Sequence, residues 1–158
     1  MPLNIRESIP EDSQTIFDFI MELAIYEKLP NEVKTTVKET REAIFAPNST
    51  VKALICEEDG TAIGFAVYFY NYSTWLGKKG IYLEDLYVSE SKRKRGAGKA
   101  LLKYLARKAI EEDCGRFEWS CLDWNTPSRE FYESFGAVAK LEWIGYRLEG
   151  LALEKLSL

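Results

Sequence analysis

The sequence predicts a single α/β (α+β) domain spanning residues 1–158, with a mixed, mostly antiparallel sheet of about seven strands and about four flanking helices. Three observations predict it. Between Val51 and Val88, β-prone runs follow one another with only short turns between them, the signature of hairpins. Segments with apolar residues at helical spacing come before and after these runs. Across Tyr82–Leu102 a strand, a basic glycine-containing turn and a helix stand in that order.

Taken in order, Leu3–Arg6 reads as a first strand. Ser8-Ile-Pro-Glu11 has the pattern of a capping box with a proline in the opening turn, so a helix is expected next. Ile16, Phe19, Ile20, Leu23 and Tyr26 recur at helical spacing to about Lys28, and Pro30 stops the helix. Thr36-x-x-Glu39 is a second capping box, for a short helix ending before Pro47. Val51–Glu57 and Ala62–Tyr72 are expected strands joined by the turn Glu58-Asp59-Gly60, with Gly64 marking a bulge or close packing. Gly77–Gly80 then turns the chain into the strand Ile81–Val88.

Leu101, Tyr104, Leu105 and Ala109 form the buried stripe of the next helix, which closes at Glu111–Asp113 before Gly115. Arg116–Asp123 is the following strand. Asn125-Thr-Pro-Ser opens a short helix with Pro127 in its first turn and Gly136 just past its end. Two last strands are expected at about Ala137–Glu142 and Tyr146–Leu153.

Composition narrows the chemistry. Lys plus Arg is 21 and Asp plus Glu is 25, a net charge of −4, which argues against general nucleic-acid binding. Four adjacent cations, Lys92–Arg95, are therefore a local device. Cys56, Cys114 and Cys121 form no metal-type spacing and no even framework, so they read as reduced thiols of a cytoplasmic protein. No signal pattern and no membrane-length apolar run is present. Histidine is absent altogether, which excludes His-activated nucleophiles and His-ligated metals. Acid–base work falls to Glu, Asp, Tyr, Lys or water.

The segment Arg93-Lys94-Arg95-Gly96-Ala97-Gly98 fits R-x-x-G-x-G between a strand and a helix. Small residues let backbone approach a ligand, and the first helical turn offers unpaired N–H groups and the positive end of its dipole, a seat for a polyphosphate. It is neither a nucleoside-triphosphate P-loop nor a dinucleotide G-x-G-x-x-G. It resembles motif A of the GCN5-related N-acetyltransferases (GNAT). Asn125 with Phe131-Tyr132 and Gly136-Ala137 is similar to that family's second motif. The resemblance runs from Ile5-Arg6 to about Arg147 and is nearest the diamine (spermidine/spermine) and thialysine branch. It is carried by YEKLPNEVK (26–34), YSTWLGKKGIYLEDLYV (72–88), RKRGAG (93–98) and LDWNTPSREFYESFGA (122–137). YSTW, YLEDLYV and LDWN bring it nearer the thialysine enzymes.

The resemblance implies acetyl-CoA as co-substrate and no metal. Backbone of Leu86, Tyr87 and Val88 would hold the pantetheine arm. The turn Lys94, Arg95, Gly96, Ala97, Gly98 and Lys99 would take the pyrophosphate, with Lys92, Arg93 and Lys99 adding charge. Asn125, Thr126, Pro127, Ser128 and Tyr132 would line its other side. It also implies direct attack of a neutral amine on the thioester, with Glu84 as base through water and Tyr132 as acid to the thiolate. Tyr26, Glu27, Trp75, Glu84, Asp85 and Tyr146 would receive the cationic amine. Cys121 is expected as a strand residue and not as a nucleophile.

Ser73 and Ile144 stand where the polyamine enzymes carry acids, which favours a shorter, thialysine- or lysine-like amine over spermidine. The expected activity is N-acetylation of a small-molecule primary amine. The rivals are acetylation of a protein lysine or N-terminus, and a silent acyl-CoA-binding module. A homodimer is implied by the resemblance alone.

Overall fold

A computed structural model describes residues 2–158. The chain divides into two compact units, the first ending at Ser120 and the second running Cys121–Leu158.

The first unit is built on a sheet of β1 (Leu3–Glu7), β2 (Val51–Glu58), β3 (Thr61–Ser73), β4 (Lys78–Val88) and β5 (Phe117–Trp119), in that spatial order. Neighbours are antiparallel except β4 and β5, which are parallel because α3 (Ala97–Glu111) crosses over between them. The mixed, mostly antiparallel class expected from the sequence is observed. The β2–β3 turn forms at Asp59 and Gly60, both at positive φ (51° and 77°), as a tight hairpin requires.

α1 (Ser13–Tyr26) follows a 3₁₀ turn at Pro10–Asp12. Its cap is not the expected Ser8/Glu11 pair. The Asp12 carboxylate accepts the Ile9 N–H at 2.7 Å and is held by Arg6 at 2.8 Å, an ion pair that fixes the box one residue further on. At the other end Leu29 N–H reaches Ala24 O (2.8 Å) and Lys28 N–H reaches Ile25 O (3.0 Å), with Lys28 at φ 65°. This pair of bonds stops the helix and fixes Tyr26 and Glu27 at its end. α2 (Val37–Phe45) has the expected box: Thr36 Oγ1 accepts from Glu39 N–H at 3.1 Å and donates to its carboxylate at 3.1 Å.

Alternate strand residues separate two faces. Ala53, Ile55, Phe65, Val67 and Tyr87 pack against Ile16 and Phe19 of α1. On the opposite face the Tyr68 and Tyr70 hydroxyls donate to Glu7 (3.0 Å) and Glu112 (2.8 Å), beyond the buried Leu101 and Leu105 of α3. Burial alone would raise the Glu112 carboxyl, but hydrogen bonds from Lys79, Tyr70 and Lys108 outweigh it and bring it to about 2.

Gly64 is one of the tight points of the sheet. A Cβ there would lie 2.8 Å from Tyr87 O and 3.2 Å from Val88 Cγ2, beside the irregular register at Cys56/Glu57. Backbone cannot yield cheaply, so Gly64→Ala should destabilise by about 1–3 kcal/mol. A thermal melt lowered by about 2–10 °C is expected; an unshifted melt would show that β4 is free to move.

The second unit holds α4 (Thr126–Glu133) and α5 (Gly150–Leu156). The expected strands at 137–142 and 146–153 do not form, so among the described residues the sheet has five strands and not about seven. Residues 137–149 carry β-prone side chains but pair with no neighbouring strand, and a strand without a ladder leaves its backbone unsatisfied. From Gly150 the run Leu151-Ala-Leu-Glu-Lys-Leu156 consists of strong helix formers, and α5 forms where strand was expected. Among the described residues the α-helices number five, against about four expected. The expected strand Arg116–Asp123 is cut to β5, which leaves Cys121 exposed and outside any strand.

Candidate active site

The β3–β4 register pairs Val67 with Asp85 and Tyr68 with Leu83, so Glu84 is an extra residue without a partner on β3. A bulge of this kind bends the strand and re-aims its side chains. β5 stops at the same place: its last pair is Trp119 with Leu83. Beyond the bulge, backbone groups of β4 that face away from β3 have no strand beside them. They can pair with an extended amide chain such as pantetheine. One is already used, since Arg93 Nε donates to Val88 O at 2.9 Å.

Glu84 is exposed at the bulge. Asp85, opposite Val67, is on the α1 face and half-buried. Burial, then the charges of Glu84 and Glu27, push its carboxyl up to about 6. Burial also raises Glu27 at the end of α1. Three carboxylates from two elements thus repel one another across a small region. None of them joins an ion pair among the described residues. A cation placed among them would relieve that repulsion.

The basic turn lies past the free end of β4, after a 3₁₀ turn at Glu90–Lys92. Gly96 caps α3 at φ 84° without any side-chain cap, so the first N–H groups of α3 are not taken by a capping side chain. Open space surrounds the place of its missing Cβ, so conformation and not crowding requires glycine here. This backbone fits a phosphate group. The four cations have different tasks. Arg95 and Lys92 pair with Glu58 at 2.7 and 3.6 Å. Glu58 is 7% exposed, and Arg95 holds its carboxyl below the usual carboxylate range against the cost of burial. Arg93 lies over the rings of Tyr26 (4.7 Å) and Tyr87 (5.3 Å). Lys94, exposed at φ 67°, has no ion-pair partner among the described residues. Lys99 is exposed in the first turn of α3.

Glu58 was missed by sequence reasoning, which took it as a hairpin turn residue. The only available signal was an acid at a tight turn in a chain with a basic run 34 residues later.

Of the residues expected to receive an amine, the structure gathers Tyr26, Glu27, Glu84 and Asp85. Trp75 is not with them. It is 90% exposed in the β3–β4 turn, between Ser73 and Lys78, the pair that closes the hairpin. Glu84 is six residues beyond Lys78, about 20 Å along the strand. In the second unit, Asn125 is buried and caps α4 by accepting Ser128 N–H at 3.3 Å. Thr126 and Pro127 form its exposed first turn. Tyr132 is half-buried on α4 with its ring 5.6 Å from Phe131. Tyr146 is 93% exposed in the irregular segment.

The profile of the Acetyltransferase (GNAT) family matches residues 17–137. The chain is 34% identical over 164 residues to the thialysine N-ε-acetyltransferase of Sus scrofa, covering 97% of this chain and 96% of that one. It is 41% identical over 98 residues to the L-ornithine N5-acetyltransferase of Arabidopsis thaliana, covering 62% of this chain and 43% of that one. Among solved structures, an integron cassette protein from the mobile metagenome of V. cholerae superposes with a TM-score of 0.84 at 28% identity, covering 99% of this chain and 98% of that one. With a phosphate-fitting turn, a bulged β4 and full-length relatives of this kind, the chain is an acetyltransferase of the GNAT family, on its thialysine-like branch.

Proposed function

We propose that this acetyltransferase moves the acetyl group of acetyl-CoA directly to a primary amine of a small molecule. The carrying observation is the trio Glu27, Glu84 and Asp85, unpaired acids at the point where β4 leaves β5. The relatives named for thialysine and ornithine, both small amines, support the same reading.

Acetyl-CoA, when bound, supplies the thioester carbonyl. Backbone of Leu86–Val88 would hold its arm, the Lys94–Lys99 turn its pyrophosphate, and Asn125–Ser128 its other side. An alkylammonium has a pKa near that of lysine, so at pH 7 about one molecule in a few thousand is neutral. Glu84 takes the proton through an ordered water, and Asp85 and Glu27 hold the cation until then. The new N–C bond forms as the C–S bond breaks, and Tyr132 donates to the departing sulfur.

The test is CoA release with acetyl-CoA and an amine panel of thialysine, lysine, diamines, spermidine and a lysine peptide. Turnover of short amines above spermidine and peptide is expected. Tight acetyl-CoA binding with no turnover of any amine would replace this reading with a silent binding module.

A further inference from the structure

Glu58 stands outside the acidic trio. It ends β2, in register with Leu3 on β1 and Thr61 on β3, so paired strands on both sides carry it. The residue is 7% exposed, and its partners come from the basic turn. Arg95 Nη1 donates to Oε1 at 2.7 Å, and Lys92 Nζ lies 3.6 Å from the same oxygen. A buried carboxylate is tolerated when cations and donors hold it. Exposed ion pairs contribute little, but one with a buried member is screened less.

The turn that supplies these cations is strained. Lys94 has φ 67° and Gly96 has φ 84°, so Arg95 is flanked by two left-handed residues. A lysine in that region persists where its surroundings fix it. The Lys94 and Arg95 N–H groups make no backbone hydrogen bond among the described residues. Side chains therefore fix the turn. Arg93 is tied to Val88 O at 2.9 Å, and Arg95 and Lys92 are tied to Glu58.

A phosphate seat made of backbone N–H groups depends on one backbone shape. Binding is tighter where that shape exists before the ligand arrives. We propose that Glu58 is a positioning residue for acetyl-CoA, holding the Lys94–Gly96 turn, through Arg95, in the shape that seats the pyrophosphate. This rests on acetyl-CoA as the co-substrate, as read above. It assigns Arg95 and Lys92 to building the seat, and leaves ligand contact to the backbone and the other cations. Coulomb attraction alone gives the opposite sign. A carboxylate beside a phosphate seat repels the ligand, and neutralising it frees two cations to attract phosphate.

Calorimetric titration with CoA reads the sign without any turnover. Glu58→Leu should weaken CoA binding about 10-fold. Glu58→Gln, whose amide oxygen can still accept from Arg95, should lose less. Arg95→Leu breaks the same tie from its half-exposed end and should lose about as much as Glu58→Leu. The double variant should lose little more, because residues acting as one unit do not add. Pantetheine, which lacks the phosphates, is the control, and its binding should stay within about twofold of wild type in every variant. In turnover the loss should fall on KM for acetyl-CoA, with kcat within about twofold. Tighter CoA binding by Glu58→Leu would overturn the proposal and make Glu58 a source of repulsion. Equal losses for CoA and pantetheine would also overturn it, as damage to the fold at large. Additive losses in the double variant would overturn it as well, giving Arg95 a phosphate contact of its own. A wild type that binds CoA yet acetylates no amine would sink the transfer reading, while the titrations still decide the role of Glu58.

Discussion

Tyr132→Phe is expected to lower kcat by about 100-fold or more, with KM for acetyl-CoA within about twofold of wild type. The substitution removes one O–H and leaves the ring, so the contact with Phe131 at 5.6 Å and the half-buried face of α4 are kept. On the proposed mechanism, what is lost is a donor to the leaving sulfur. A thiolate of ordinary basicity is a better leaving group than an alkoxide, yet negative charge still builds on the sulfur as it departs. A hydrogen bond that strengthens as charge builds on sulfur acts on the transition state and not on the bound thioester. The loss should therefore appear in kcat. Steady-state kinetics with varied acetyl-CoA reads the split. Turnover within about threefold of wild type would remove Tyr132 as the acid, and a large rise in KM alone would make it a binding residue.

The parts of this architecture that were legible in the sequence are those fixed by neighbours along the chain. The β2–β3–β4 meander, the Thr36 box and the glycine-capped α3 each follow from a few consecutive residues. What escaped depends on residues far apart. Glu84 looks like one acid among the apolar residues of a strand, and only the register against β3 shows it to be the extra residue of a bulge. Four cations in a row suggested four phosphate contacts, but Arg95 and Lys92 meet an acid at 2.7 and 3.6 Å from a hairpin 37 and 34 residues earlier. Arg93 turns to ring faces on the α1 side. The segment after α4 fails for the opposite reason. Its β-prone residues were read locally, whereas a strand exists only with a partner.

Glu84→Gln should cost about 100-fold in kcat/KM for the amine, and it should also change the pH profile in two places. The amide matches the carboxylate in size and stays at the exposed bulge, so the fold should hold. It cannot accept a proton from water, so the rise of rate with pH that reports deprotonation of the amine loses its catalysed component and steepens only as free amine accumulates. The acid limb moves as well. In wild type, burial and the charges of Glu84 and Glu27 all disfavour ionised Asp85, which holds its carboxyl up to about 6. Below that pH the trio has lost a charge and attracts an ammonium less, so KM for the amine should fall as pH rises through about 6. Removing the Glu84 charge takes away one source of that shift, and the same fall in KM should come at lower pH. Asp85→Asn provides the control: it should abolish the change near pH 6 while keeping the alkaline rise. Profiles of kcat and KM between about pH 5 and 9 decide the matter. If Glu84→Gln keeps both limbs where wild type has them, the base lies elsewhere. A loss of rate with only the acid limb moved would make Glu84 part of the field around Asp85 and not the proton acceptor.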